Sequence, residues 1–236
     1  MNKEKYVFFD LDGTLLPMDQ NNFVKAYFGL LAKKLAPYGY PSEKLINSIW
    51  KGTSNMVKND GSRLNEDAFW ESFYEDFGEM SKRDRTIFDD FYTNNFDEVA
   101  KSCGHTEKAK YIVDKAKAFG FKTVLATNPI FPTIATHKRI KWAGLDISDF
   151  IYITTYENSS HCKPNLNYYK DILSKLNISP EQCIMVGNDV GEDMVAEKLG
   201  MKVFLLTDCI INKESADISQ HPHGSFSELE DFLENF

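Results

Sequence analysis

The chain has few of the features that mark secreted, membrane or nucleic-acid-binding proteins. Four cysteines in 236 residues lie far apart, which excludes a disulfide framework or a zinc ribbon and suits a reducing compartment. No apolar run approaches the roughly 18 residues of a membrane helix, and residues 1–5 do not begin a signal peptide. The chain has 27 basic and 35 acidic residues, and the resulting net charge of −8 disfavours binding to nucleic acid. We therefore expect a cytoplasmic protein with neither a membrane nor a nucleic acid partner.

The sequence does contain a regular alternation of strand and helix patterns. Short apolar runs lie at 6–9, 122–126, 151–154, 183–186 and 203–206. Helical spacing of apolar residues lies between them, at 106–119, 165–176 and 191–199. Continuous apolar runs indicate strands buried on both faces, and their alternation with helices is typical of a parallel sheet covered on both sides. The sequence predicts an α/β fold.

Residues 17–100 interrupt this alternation. They contain no convincing strand, but polar residues such as Ser81 precede acidic first turns, as helix starts do. Aromatic residues recur there at helical spacing, which mostly indicates buried helix faces. We predict an all-helical cap of about four helices at 17–100, inserted into a discontinuous core formed by 1–16 and 101–236.

The first apolar run ends in the segment DLDGT, which carries Asp10 and Asp12. Two carboxylates two residues apart, directly after a buried strand, can both project from its carboxyl end, where ligands of parallel α/β sheets bind. An ordinary turn is the alternative, because Asp and Gly are common turn residues. The position after a strand favours a functional site.

Three weaker signals also follow strand patterns or open helices. Thr127 and Asn128 offer a hydroxyl and backbone N–H groups suited to phosphate, and Lys163 offers a positive charge before a helix. Asp189 and Asp193 add oxygen ligands suited to a hard cation such as Mg²⁺. Each signal alone also fits a turn, a surface lysine or an acidic helix start. Together they predict one site, because the carboxyl ends of parallel strands share one edge.

Charge repulsion makes this predicted site depend on a cation. Two carboxylates about 4 Å apart repel by about 4 kcal/mol at an effective dielectric constant of about 20. Asp10, Asp12, Asp189 and Asp193 would crowd together, so protons or a divalent ion must neutralise them. A cation also explains Lys163 and Thr127, since the site must hold a dianion beside carboxylates.

The order of these motifs resembles the haloacid dehalogenase superfamily, in particular its phosphatases with a helical cap after the first strand. The resemblance implies a Rossmann-like core, with Asp10 as the nucleophile that forms an aspartyl-phosphate and Asp12 as the general acid–base. It implies that Thr127 and the N–H of Asn128 bind phosphate and that Lys163 stabilises the transferring group. Dehalogenases of this superfamily lack an acid at the position of Asp12, so its presence favours phosphoryl transfer.

The same resemblance implies a Mg²⁺ site. Its ligands would be Asp10, the backbone carbonyl of Asp12 and Asp189, with Asp193 supporting them or ligating through water. Many relatives have Asp where this chain has Asn188. Either Asn188 or Asp189 is then the direct ligand, and we favour Asp189 for its charge.

We therefore expect a Mg²⁺-dependent phosphatase of a small phosphorylated metabolite, acting as a monomer or homodimer. A sugar phosphomutase of similar design is the nearest alternative. A phosphonate-cleaving enzyme would need a cap lysine, for which Lys51 is only a nominal candidate. A non-catalytic phospho-ligand sensor on the same fold is the alternative of a different class.

Overall fold

A computed structural model describes residues 4–236. Residues 1–3 lie outside the described residues. The predictions that cover them, a core segment at 1–16 and no signal peptide, therefore stay predictions at these three positions. No helix among residues 4–236 is both long enough and apolar enough to cross a bilayer.

Six strands form one parallel sheet in the order β3-β2-β1-β4-β5-β6. The strands are β1 Lys5–Phe9, β2 Phe121–Leu125, β3 Tyr152–Ile153, β4 Cys183–Gly187, β5 Lys202–Leu206 and β6 His223–Gly224. Residues of β1, β2 and β4 are almost all buried, which explains their continuous apolar sequence. The strand order reverses direction between β1 and β4, and ligands of such sheets bind outside the carboxyl ends at this point.

Helices cover both faces of the sheet. The α-helices in chain order are α1 Gln20–Leu35, α2 Ser42–Val57, α3 Asn65–Phe77, α4 Glu79–Arg83, α5 Arg85–Asn94, α6 Lys108–Ala118, α7 Thr133–Trp142, α8 Leu166–Leu176 and α9 Phe226–Glu234. Helices α6 and α9 pack with one face of the sheet, while α8 and the 3₁₀ helix Met194–Leu199 pack with the other. These layers confirm the predicted α/β, Rossmann-like fold class.

Helices α1 to α5 lie in the chain between β1 and α6 and form their own aromatic core. Five α-helices occur here, against the four or so expected from sequence. Ser81 does not start a helix: it is buried within α4, where its hydroxyl donates to the carbonyl of Gly78 at 2.8 Å. The boundaries proposed for the cap, 17–100, stay a prediction.

The chain enters and leaves this helical segment at neighbouring points. Met18 and Cys103 form an antiparallel bridge, and the N–H of Gly104 donates to the carbonyl of Pro17 at 2.7 Å. The two connections therefore run side by side at the edge of the core.

Candidate active site

Asp10 follows β1 directly and is held by three contacts. Its backbone N–H continues the pairing with β4 by donating to the carbonyl of Val186 at 2.9 Å. Its Oδ1 accepts from Nζ of Lys163 at 2.9 Å, and its Oδ2 lies 3.0 Å from the hydroxyl of Thr14. Because Asp10 is only 7% exposed, its carboxylate has a fixed position at the carboxyl edge of the sheet.

Lys163 joins two carboxylates that are far apart in sequence. Its Nζ donates to Asp10 at 2.9 Å and to Oδ1 of Asp193 at 2.6 Å, with the lysine almost fully buried. Burial opposes the positive charge, but Asp10 and Asp193 outweigh it and hold the pKa of Lys163 well above its usual value. The ammonium group therefore stays charged inside the protein.

The loop after β4 is built around Asp193. Its Oδ2 accepts from the backbone N–H of Asp189 at 3.0 Å, so both of its oxygens are used. A Cβ atom at Gly187 would lie 2.0 Å from Oδ2 of Asp193, and only glycine leaves room for this carboxylate. Oδ1 of Asp189 accepts from the N–H groups of Gly191 and Glu192 at 2.8 and 3.0 Å. These bonds tie the loop tightly to the site.

Thr127 and Asn128 lie just beyond β2. The backbone oxygen of Thr127 accepts from the hydroxyls of Thr154 and Tyr168, at 2.7 and 2.9 Å. Its own hydroxyl makes no hydrogen bond within residues 4–236. The side-chain amide of Asn128 donates to Glu192 at 3.0 Å. The backbone here is fixed, and the hydroxyl of this largely buried threonine can donate to a ligand.

Asp12 is also close to this edge, but its side chain is bound to a residue that sequence analysis missed. Oδ2 of Asp12 pairs with the guanidinium of Arg139, in the middle of α7. Oδ1 of Asp12 is buried and has no hydrogen-bond partner among the described residues. Burial raises the pKa of Asp12, while Arg139 lowers it. No feature of the local sequence points to Arg139, because helix α7 lacks a recognisable apolar period.

Asn188 is committed to structural contacts. Its Oδ1 lies 3.0 Å from the hydroxyl of Thr14, and its Nδ2 donates to the carbonyl of Cys209 at 2.7 Å. Thr14 has one proton to share between Asp10 and Asn188. Asp189 keeps its Oδ2 without a hydrogen bond in the described part of the chain, which is consistent with our preference for Asp189 as the metal ligand.

The donor set fits Mg²⁺ although it is not a closed cage. Among residues 4–236 no three His, Cys, Asp or Glu side chains converge as a ready-made metal cluster. Mg²⁺ usually takes only one or two protein carboxylates and completes its octahedron with water and phosphate oxygens. Asp10 and Asp193 share one lysine, Lys163, and Asp189 lies in the same loop as Asp193, so the site carries excess negative charge beside a free carboxylate oxygen. A hard divalent cation suits both features.

The sheet with its switch point, the carboxylates at its edge and the inserted helices define a hydrolase of the haloacid dehalogenase type. A family model described as haloacid dehalogenase-like hydrolase matches residues 4–200, and the chain belongs to this family. No curated protein matches the sequence.

Solved structures share the fold at low sequence identity. A 2-haloacid dehalogenase from Pseudomonas syringae pv. tomato DC3000 is 16% identical, covers 99% of both chains and has a TM-score of 0.62. A HAD phosphatase from Thermococcus onnurineus is 17% identical, covers 97% of both chains and has a TM-score of 0.57. A HAD hydrolase from Bacillus subtilis, described as bound to magnesium, is 14% identical with a TM-score of 0.55, covering 98% of this chain and 99% of that one. At these identities the likeness establishes the fold.

Proposed function

We propose that the protein is a Mg²⁺-dependent phosphatase that hydrolyses a small phosphomonoester through an aspartyl-phosphate. The observation that carries this proposal is the buried carboxylate of Asp10, held between Lys163 and Thr14 at the switch point of the sheet. A fixed carboxylate beside a buried cation suits attack on a dianion that the cation attracts. The substrate class, the metal and the residue roles are all parts of this proposal.

Each step of the reaction has a residue suited to it. The phosphoryl oxygens accept from Lys163 and from the free hydroxyl of Thr127, which orients phosphorus toward Asp10. An oxygen of Asp10 then forms a bond to phosphorus as the bond to the leaving oxygen breaks. Mg²⁺, held by Asp10, Asp189 and the carbonyl of Asp12, would neutralise charge on the phosphoryl oxygens.

Asp12 supplies the proton transfers. It gives a proton to the leaving alcohol oxygen and later takes one from the water that attacks the aspartyl-phosphate. That water forms a bond to phosphorus, the bond between phosphorus and Asp10 breaks, and inorganic phosphate leaves. A dehalogenase has no leaving alcohol to protonate, so an acid at position 12 supports phosphatase rather than dehalogenase chemistry.

We also propose a cytoplasmic location and a small phosphorylated metabolite as the substrate, with the protein a monomer or homodimer. The free state of all four cysteines supports a reducing compartment. The net charge of −8 supports the absence of a nucleic acid partner.

The test is phosphate release from a panel of sugar phosphates, nucleotides and phosphoglycolate with Mg²⁺ and with EDTA. Asp10→Asn removes the nucleophile without changing its size and should abolish Mg²⁺-dependent turnover, while Asp208→Asn, at an exposed position, should leave it unchanged. Near-full activity of Asp10→Asn would refute the nucleophile assignment. Conversion of a hexose 1-phosphate to an isomer would instead favour a phosphomutase, and halide release from a 2-haloacid would favour a dehalogenase.

A further inference from the structure

Arg139 is a buried cation that has no assigned role in the reaction proposed above. It is 1% exposed, in the middle of α7, which belongs to the core. Its Nη1 donates to Oδ2 of Asp12. A buried arginine is costly unless its charge is paired and its donors are satisfied.

The guanidinium is held from several sides by its own surroundings. Its Nη2 donates to the hydroxyl of Thr136 at 3.2 Å, and its Nε donates to the carbonyl of Ala135 at 3.4 Å. Its central carbon lies 4.5 Å from the centre of the Phe131 ring, a cation–π distance. These contacts fix the position of the Arg139 guanidinium, with which the Asp12 carboxylate forms an ion pair.

This attachment leaves the two oxygens of Asp12 in different situations. Oδ2 is bound to Arg139, whereas Oδ1 is buried and without a partner in the described residues. A buried carboxyl oxygen rarely stays without a hydrogen bond, and such an atom calls for an explanation. The Asp12 side chain as a whole is 23% exposed, so a bound substrate can reach it, and the missing partner of Oδ1 is then the leaving oxygen.

We propose that Arg139 is a positioning residue that fixes Asp12 through Oδ2 and so reserves Oδ1 for proton exchange. This inference rests on the proposed phosphatase function. Oδ1 gives its proton to the leaving oxygen as the bond from phosphorus to that oxygen breaks, and Oδ1 later takes a proton from the attacking water. Arg139 exchanges no proton in either step; it keeps the carboxyl group from rotating away.

The test is the dependence of kcat/KM on the leaving group, because kcat/KM reports the transfer of the phosphoryl group to the enzyme. A poor leaving group such as an alkyl alcohol needs a proton, whereas 4-nitrophenol leaves without one. We expect Arg139→Met to lower kcat/KM for alkyl phosphates by about 100-fold, the low end of what general acid catalysis contributes. For 4-nitrophenyl phosphate we expect a loss of no more than several-fold.

Two further variants serve as controls. Lys141→Met removes an exposed charge from the same helix and should change neither rate. Arg139→Lys keeps the charge but cannot reproduce the planar, multiply bonded contact, so it should show the same leaving-group dependence to a smaller degree. This conservative variant carries the test if thermal unfolding shows that Arg139→Met is poorly folded. An equal loss for all leaving groups would mean a purely structural role and would overturn the proposal.

A double-mutant comparison tests whether Arg139 acts through Asp12. In an Asp12→Asn background, Arg139→Met should add little further loss on alkyl phosphates. If the two substitutions lower kcat/KM independently, so that their factors multiply, the proposal is overturned. It is also overturned if the loss in kcat/KM depends on the charge of the substrate rather than on its leaving group, because that would indicate direct binding by Arg139. If Asp12→Asn itself lowers kcat/KM equally for all leaving groups, both the acid–base role of Asp12 and this inference fail. The phosphatase proposal is tested separately by the Asp10→Asn variant.

Discussion

At the scale of single residues, the charge balance of the site depends on Lys163. This one ammonium group neutralises part of the charge of Asp10 and Asp193, and all three side chains are nearly or fully buried. Buried ion pairs give modest net stability, but removal of one partner leaves the others unpaired at high cost. The structure therefore predicts a strong effect from a single substitution.

We expect Lys163→Met to lower the free energy of unfolding by about 3–5 kcal/mol, the usual cost of breaking a buried ion pair. The measurement is urea denaturation in EDTA, so that no divalent ion replaces the lost charge. Lys170→Met, at an exposed position of α8, should stay within about 0.5 kcal/mol of the parent. A change below about 1 kcal/mol for Lys163→Met would contradict the description of this site.

Much of the site is predictable from sequence because its residues follow strands. Asp10, Thr127 and Asp189 each come directly or almost directly after a buried apolar run, and parallel strands bring such positions to one edge. Arg139 lies in mid-helix, where nothing in the local sequence indicates its neighbour. Its contact with Asp12 joins residues 127 positions apart, and only the packing of α7 brings the two together.

At the scale of elements, the start of α3 attaches the helical segment to the core. Asn65 is fully buried, and its amide nitrogen lies within hydrogen-bond distance of the carbonyls of Pro129 and His161, at 3.2 and 3.4 Å. Its backbone N–H donates to the carbonyl of Ser159 at 2.8 Å. The loop before α3 lies against the same core segment, since a Cβ at Gly61 would lie 2.6 Å from the ring of His161.

We expect Gly61→Ala to destabilise the protein more than Gly120→Ala does. Both glycines have positive φ, +92° and +87°, so both substitutions strain the backbone by about 1–3 kcal/mol. Only Gly61 faces a close neighbour; a Cβ at Gly120 meets nothing within 4 Å. Urea denaturation of the two variants measures the cost of this close approach, and equal losses would show that the His161 ring moves aside without penalty.

Elements with weak sequence patterns are not predictable from the sequence. Helix α7 has few apolar residues and a basic stretch, and β6 has only two residues, so neither shows a recognisable period. The sequence predicts a helix over 191–199, whereas a 3₁₀ helix occurs at Met194–Leu199 because the preceding residues form the loop around Asp193. Tertiary contacts, which sequence periodicity does not report, decide each of these cases.

At the scale of the whole molecule, the aromatic core of the helical segment continues onto helix α7. Ala135 of α7 belongs to that cluster, and Phe131 and Trp142 pack against it. The rings of Phe96 and Trp142 have centroids 4.9 Å apart. The strand runs alone predict the α/β class, but they do not predict this shared packing, because α7 has no recognisable sequence pattern.

Since the packing is shared, we expect the protein to unfold in one transition, although chains of this size often populate intermediates. Trp50 and Trp70 lie in α2 and α3, whereas Trp142 lies in α7. Their fluorescence and the far-ultraviolet circular dichroism should therefore change at the same urea concentration. A fluorescence transition that precedes the loss of helical signal would show that the helical segment opens independently.

The chain leaves the core at Pro17 and returns to it at Gly104, and these two residues are joined by a hydrogen bond. For an insertion whose two ends lie side by side, the entropic cost of closing the loop rises only slowly with its length. We therefore expect that the intervening residues can be exchanged or resized while Asp10 and its partners at the sheet edge keep their places. If the helical segment selects the substrate, substitutions or insertions within this one contiguous stretch should change substrate preference, provided that the new residues still cover α7.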